Sequence, residues 1–86
     1  MSYRPELAFR ARANYFVRMG NPQAAANDFK SAREANPRDA DAWLGEARSL
    51  QQLSQIELAK IAINEYLKLK PQSSEARELK EALAKA

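Results

Sequence analysis

Residues 43–71 read WLGEARSLQQLSQIELAKIAINEYLKLKP and set the pattern for the whole chain. Similar residue types recur 34 residues earlier, in residues 9–37, FRARANYFVRMGNPQAAANDFKSAREANP. The pairs are Trp43 and Phe9, Ala42 and Ala8, Ala47 and Ala13, Leu50 and Phe16, Leu53 and Met19, Ala59 and Ala25, Ile63 and Phe29, and Pro71 and Pro37. The separation is that of one helical hairpin in a repeat array, about 34 residues, so the sequence predicts two such repeats.

The composition favours an all-α protein without catalytic chemistry. The 86 residues include two Gly and neither Cys nor His, and Ala, Leu, Glu, Lys, Arg and Gln dominate. Those residues favour helix. Without His and Cys the chain lacks the commonest general base and the commonest metal ligands. The serines have no His to activate them, and the carboxylates are scattered singly, so we expect no enzyme, no metal site and no cofactor.

Apolar residues at helical spacing, interrupted by proline, glycine and serine, predict five helices. Their expected ranges are 5–19, 22–35, 40–53, 55–69 and 74–85. Gly20 is expected to end the first helix in the left-handed conformation, and Asn21 to cap the second. Asp39 is the expected cap of the third helix. Ser54 and Glu57 match a capping box for the fourth, and Ser73 or Ser74 suits the start of the fifth.

These residues resemble the tetratricopeptide repeat family, whose pattern combines an aromatic residue, small residues, a further large residue and a closing proline. The resemblance implies an all-α fold, an α-α superhelix of stacked helical hairpins in one domain spanning residues 1–86. The expected divisions are 6–39 for the first repeat, 40–73 for the second and 74–86 for a C-terminal capping helix. The last segment has one thin apolar stripe on a charged helix, as a terminal cap requires.

Two departures from the family pattern carry information. Arg12 and Glu46 replace the family's leucine at equivalent positions on neighbouring first helices. We expect either an ion pair between them or packed stems with both charged tips in solvent. Leu58 and Ile61 fall on the side of the fourth helix that the family usually exposes. They are either ordinary surface residues or a contact patch for a partner or a second copy.

The resemblance also implies a function, which is binding of a peptide or partner segment in a concave groove lined by the first helix of each repeat. Arginine suits a carboxylate and asparagine suits a peptide backbone, so the sequence favours a peptide with an acidic group. The residues expected to bind the peptide are Arg10, Asn14, Val17, Arg18, Leu44, Arg48 and Gln51. The alternative is an engineered or truncated minimal scaffold, self-associating and without a specific ligand, so that either a monomer or a homodimer is compatible with the sequence.

The net charge of +3 is concentrated in residues 1–20, which carry Arg4, Arg10, Arg12 and Arg18 against Glu6. This segment is either a solvated helix face or a local preference for an acidic partner. It is narrower than the basic stripe of a nucleic-acid-binding protein, so no nucleic acid is expected as a partner. The sequence shows neither a long apolar run nor a secretory signal, so we predict a cytoplasmic protein that does not enter a membrane.

Overall fold

The computed structural model describes residues 3–86, which form five α-helices and, within that range, no strand. The helices are α1 (Pro5–Arg18), α2 (Pro22–Ala35), α3 (Ala40–Gln52), α4 (Ile56–Leu69) and α5 (Ser74–Ala84). Each helix packs chiefly on the next one along the chain. The structure is therefore a stack of two helical hairpins, α1–α2 and α3–α4, followed by α5. All five predicted helices are confirmed, each to within one residue at either end.

Small residues set the close spacing of the helices. The alanines that are completely buried are Ala13, Ala25, Ala32, Ala42, Ala47, Ala59 and Ala76. Their methyl side chains allow neighbouring helix axes to approach closely while still filling the space between them. Larger side chains, including Phe29, Leu50, Ile63 and Leu83, fill the gaps along the interfaces.

The two hairpins turn in the same way, at equivalent positions of the two repeats. Gly20 has φ +73°, as predicted, and Ser54 has φ +59°. In the first turn the amide of Asn21 donates to the carbonyl of Phe16 at 2.9 Å, and in the second the amide of Gln55 donates to Leu50, also at 2.9 Å. Both turns therefore end their first helix with the same left-handed cap.

This geometry contradicts the capping box predicted at Ser54. Helix α4 starts at Ile56 with Gln55 at the cap position, and no side chain there accepts a hydrogen bond from the helix. Because Ser54 already ends α3 in the left-handed conformation, it is too far from the first turn of α4 to cap it. The structure confirms Asn21 as the cap of α2 and Ser73 as the cap of α5, with bonds to the amides of Ala24 and Ala76.

The predicted ion pair between Arg12 and Glu46 is wrong. The Nε and Nη2 atoms of Arg12 donate to Asp28 at 2.7 and 2.8 Å, which ties α1 to α2 within the first hairpin. Glu46 accepts from Nε of Arg33 at 2.6 Å, and this bond ties α2 to α3. Arg33 also stacks on Trp43, 4.5 Å from the ring centre. Each charged residue has a nearer partner on α2, the helix that lies between the two in the chain.

The apolar residues of α1 are only partly buried. Ala13 is inaccessible and Phe16 half-buried, but Leu7, Val17 and Met19 are exposed. Leu58 and Ile61 are exposed on α4, as the family pattern predicts. Across the described residues, 3–86, none of the helices has the length and apolar character needed to cross a membrane.

Replacing Ser54 with glycine should stabilise the protein. A left-handed conformation costs a residue with a Cβ atom roughly 1–2 kcal/mol, and glycine recovers most of this less its own entropic cost. Chemical denaturation should therefore show Ser54→Gly about 0.5–1 kcal/mol more stable than the wild type. The reciprocal change Gly20→Ser is the matched control and should destabilise. A loss of stability in Ser54→Gly would contradict the assigned turn.

A double-mutant cycle tests the corrected ion pairing. Arg33→Met and Glu46→Gln should show a coupling energy of about 1–2 kcal/mol, because the two groups share a hydrogen bond against a largely buried carboxylate. The cycle that pairs Arg12→Met with Glu46→Gln is the control, since these residues share no bond, and its effects should add. Coupling between Arg12 and Glu46 without coupling between Arg33 and Glu46 would contradict the observed ion pairs and support the pair predicted from the sequence.

Candidate functional site

The first helices of the two hairpins form a groove with a cavity of about 220 Å³. Arg10 and Asn14 line it from α1, and Leu44 and Arg48 line it from α3. The structure therefore brings together four of the residues that the sequence assigned to peptide binding. The remaining lining residues are Phe29, Asp41 and Gly45.

The floor of this groove is the contact between α2 and α3. A Cβ atom built on Gly45 would overlap the ring of Phe29, so the ring lies directly against the backbone at this position. Phe29 is itself buried. A rigid aromatic floor between two helices keeps the polar side chains at the rim in a fixed relation to one another.

Arg10 is held at the rim by two aspartates. Its Nη1 atom lies 2.5 Å from Asp39 Oδ1 and 3.5 Å from Asp41 Oδ2. Asp39 is buried, whereas the side chain of Asp41 is 74% exposed. Asp39 occupies the N-cap position of α3, as predicted, but its side chain makes no hydrogen bond to the helix amides. Asp39 instead orients the guanidinium of Arg10.

Arg48 pairs with Glu75, the second residue of α5. Both side chains are about half exposed. This contact joins α3 to α5 on the side of the groove that Arg48 lines. Because both partners are solvated, the pair adds little to stability and leaves the guanidinium available to another carboxylate.

Three of the four arginines in residues 4–18 are engaged within the molecule. Arg4 donates to Glu6 at 2.6 Å, Arg10 to Asp39, and Arg12 to Asp28. The bond from Arg4 holds the pKa of Glu6 below its ordinary value, and the bond to Asp28 raises the pKa of Arg12. The positive segment seen in the sequence is thus balanced by carboxylates, most of which come from elsewhere in the fold.

The three other predicted site residues lie outside this cavity. Val17 and Arg18 are exposed on the last turn of α1, and Gln51 is partly buried on the last turn of α3. They occupy the turns that follow Asn14 and Arg48, so they would extend the groove beyond the cavity.

A second depression of about 240 Å³ lies on the other side of the stack, between α2, α3 and α4. The ion pair of Arg33 with Glu46 lies at this depression, and the exposed Leu58 and Ile61 stand at its α4 side. Arg33 and Glu46 satisfy each other across the hairpin interface, and exposed Lys30 also lines this depression.

Sequence reasoning missed two parts of the groove: the carboxylate of Asp39 and the aromatic floor. Asp39 stands at the start of α3, which is a usual place for acidic residues, so its expected capping role hid its contact with α1. The useful signal was the single glycine in α3, because Gly45 in a helix interior costs stability unless something approaches closely.

The comparisons with known proteins agree with this architecture. The family model described as tetratricopeptide repeat matches residues 10–74, which covers most of the first hairpin, the whole second hairpin and most of the chain. No match was found among curated proteins. Given the family match, the repeated sequence landmarks and the stacked helical hairpins, the chain belongs to the tetratricopeptide repeat family.

Proposed function

We propose that this chain is a protein-interaction module that holds an extended peptide segment of a partner in the groove between α1 and α3. The observation that carries the proposal is the convergence of Arg10, Asn14, Leu44 and Arg48 on one cavity. Proteins of this family generally mediate protein–protein interactions.

The lining residues supply the contacts that an extended peptide needs. Asn14 is exposed, and its amide has both donors and acceptors for a peptide backbone. Leu44 is half-buried and offers apolar surface beside it. Val17, Arg18 and Gln51 extend the same face toward the ends of α1 and α3, so the peptide would run past the cavity along both helices.

The two arginines favour a peptide that carries a carboxylate. Arg10 is bonded to the described residues through Nη1 alone, which leaves its Nε and Nη2 donors for a ligand. The side chain of Asp41 is exposed and that of Glu75 about half exposed, so exchanging either carboxylate for a ligand carboxylate costs little. Buried Asp39 would keep Arg10 in place during that exchange.

Selection from a random peptide library tests this proposal. The wild type should enrich peptides that contain Asp or Glu. The pair swap Arg48→Glu/Glu75→Arg keeps the ion pair but moves its positive charge away from Leu44. We expect it to lose about tenfold in affinity for the peptides selected on the wild type, as for a charge reversal at an interface.

The matched control is Glu65→Lys/Lys68→Glu, which swaps an exposed ion pair on α4, outside the groove lining. It should bind the selected peptides as the wild type does. Equal binding by all three proteins would contradict the groove assignment, and so would selected peptides without acidic residues.

A further inference from the structure

The two hairpins differ in one stripe of their first helices. On α3, Ala42, Glu46 and Ser49 are buried and Leu53 at the helix end is partly buried. Their counterparts one repeat earlier, on α1, are Ala8, Arg12, Tyr15 and Met19, and all four are exposed. Tyr15 is 49% and Met19 63% exposed, against 3% for Ser49. We call these four residues the α1 outer stripe.

On α3, the equivalent stripe is covered by helix α2. Helix α2 lies against α3, where Phe29 contacts Gly45 and Arg33 bonds to Glu46. Within residues 3–86 no helix lies on the corresponding side of α1, because α1 packs chiefly against α2. The α1 outer stripe therefore has the character of an interface that accepts a helix resembling α2.

The charge of the stripe is reversed between the two helices. Glu46 meets an arginine on its covering helix, and Arg12 stands at its place on α1. Arg12 uses Nε and Nη2 for Asp28, and its side chain is 62% exposed, so Nη1 faces no other hydrogen-bonding group among the described residues. Arg18, which is also exposed, precedes Met19 at the edge of the stripe. A covering helix should thus carry a carboxylate where α2 carries Arg33.

A second copy of the chain fits this stripe poorly. Two α1 helices facing each other would place the exposed side chains of Arg12 and Arg18 of one copy against the same arginines of the other, with no carboxylate on the facing stripe. The other end of the stack offers α5, whose exposed residues include Lys80, Glu81 and Lys85 and lack an apolar stripe. Charge complementarity instead favours a different protein.

We propose that the α1 outer stripe is a second interaction surface, which binds an amphipathic helix of another protein through apolar contact with Tyr15 and Met19 and an acidic side chain on Arg12. This surface is separate from the groove, which is lined on α1 by Arg10 and Asn14. The inference does not depend on peptide binding in the groove.

The sequence of α2 supplies the probe. We would use a synthetic peptide of residues 21–36 carrying Arg33→Glu and Phe29→Leu, made helical by Ala24→Lys with a lactam to Asp28. Leucine replaces Phe29 because Ala11, the counterpart of Gly45 on α1, has a Cβ atom where the ring would lie. The lactam occupies the side of α2 that faces α1 in the protein, so it leaves the side that covers α3 free. The version that keeps Arg33 and carries the same Phe29→Leu change and lactam is the matched control.

Fluorescence anisotropy and backbone amide NMR shifts measure affinity and location. The Arg33→Glu peptide should bind about fivefold more tightly than the control, because it replaces a like charge beside Arg12 with an opposite one. The amide shifts should centre on Tyr15 and Met19. The protein variant Arg12→Glu/Asp28→Arg keeps an ion pair between α1 and α2 and should reverse the preference between the two peptides.

Several results would overturn the proposal. Equal binding of both peptides, no binding of either, or shifts centred on Asn14 and Leu44 would each do so. Dimerisation of the protein alone that Met19→Glu abolishes would show that a second copy covers the stripe. The groove variant Arg48→Glu/Glu75→Arg should leave the affinity for the helical peptide unchanged, so failure of the groove proposal is distinguishable from failure of this one.

Discussion

The contact on which the structure most depends is the ring of Phe29 against the backbone of Gly45. It brings α2 close to α3 and so joins the two hairpins. At that spacing Arg33 reaches both the Trp43 ring and the Glu46 carboxylate. The same contact is the floor of the groove, so the element that holds the stack together also positions the candidate binding residues.

The interface between α4 and α5 is filled by different side chains from the interface between α2 and α3. The counterparts of Phe29 and Gly45, one repeat further along the chain, are Ile63 and Leu79, which belong to one apolar cluster. A large residue against a bare backbone is thus replaced by two residues of intermediate size, which fills a similar volume.

The carbonyl of the proline that closes each repeat accepts a side-chain hydrogen bond, although the donor residue differs between the two repeats. Trp43 Nε1 donates to the carbonyl of Pro37 at 2.8 Å, and Arg77 Nη2 donates to the carbonyl of Pro71 at 2.9 Å. The two donors are separated by one repeat, as are the two prolines. Equivalent contacts at both junctions explain how α5 can follow α4 as α3 follows α2.

The sequence was sufficient to predict the helices, because apolar spacing and the Gly, Asn and Pro breaks are local signals. It was also sufficient to predict that Arg10, Asn14 and Arg48 converge, since a shift by one repeat maps α1 onto α3. The ion pairs were not predictable in this way. Long arginine side chains reach several helices, and the choice of Asp28 over Glu46 for Arg12 depends on the packed positions of all three helices.

The misassigned cap at Ser54 has a different origin. The capping-box pattern is a short motif, and the same serine also stands at the position equivalent to Gly20. Both hairpin turns have the same geometry, so Ser54 takes the left-handed conformation of Gly20 and does not form the capping box.

The exposure of the α1 outer stripe was not predictable for a related reason. Apolar residues at helical spacing predict a buried face but do not tell which neighbouring helix would bury it.

The free energy of unfolding of Gly45→Ala tests the central contact most directly. Alanine in a helix interior is favoured over glycine by about 1 kcal/mol, so without a close neighbour the change would stabilise the protein. We predict instead a loss of about 1–2 kcal/mol from overpacking against Phe29, relieved when Phe29→Leu is introduced as well. The control Ala11→Gly, at the exposed equivalent position of α1, should destabilise by propensity alone. A gain in stability for Gly45→Ala in the wild-type background would contradict the account.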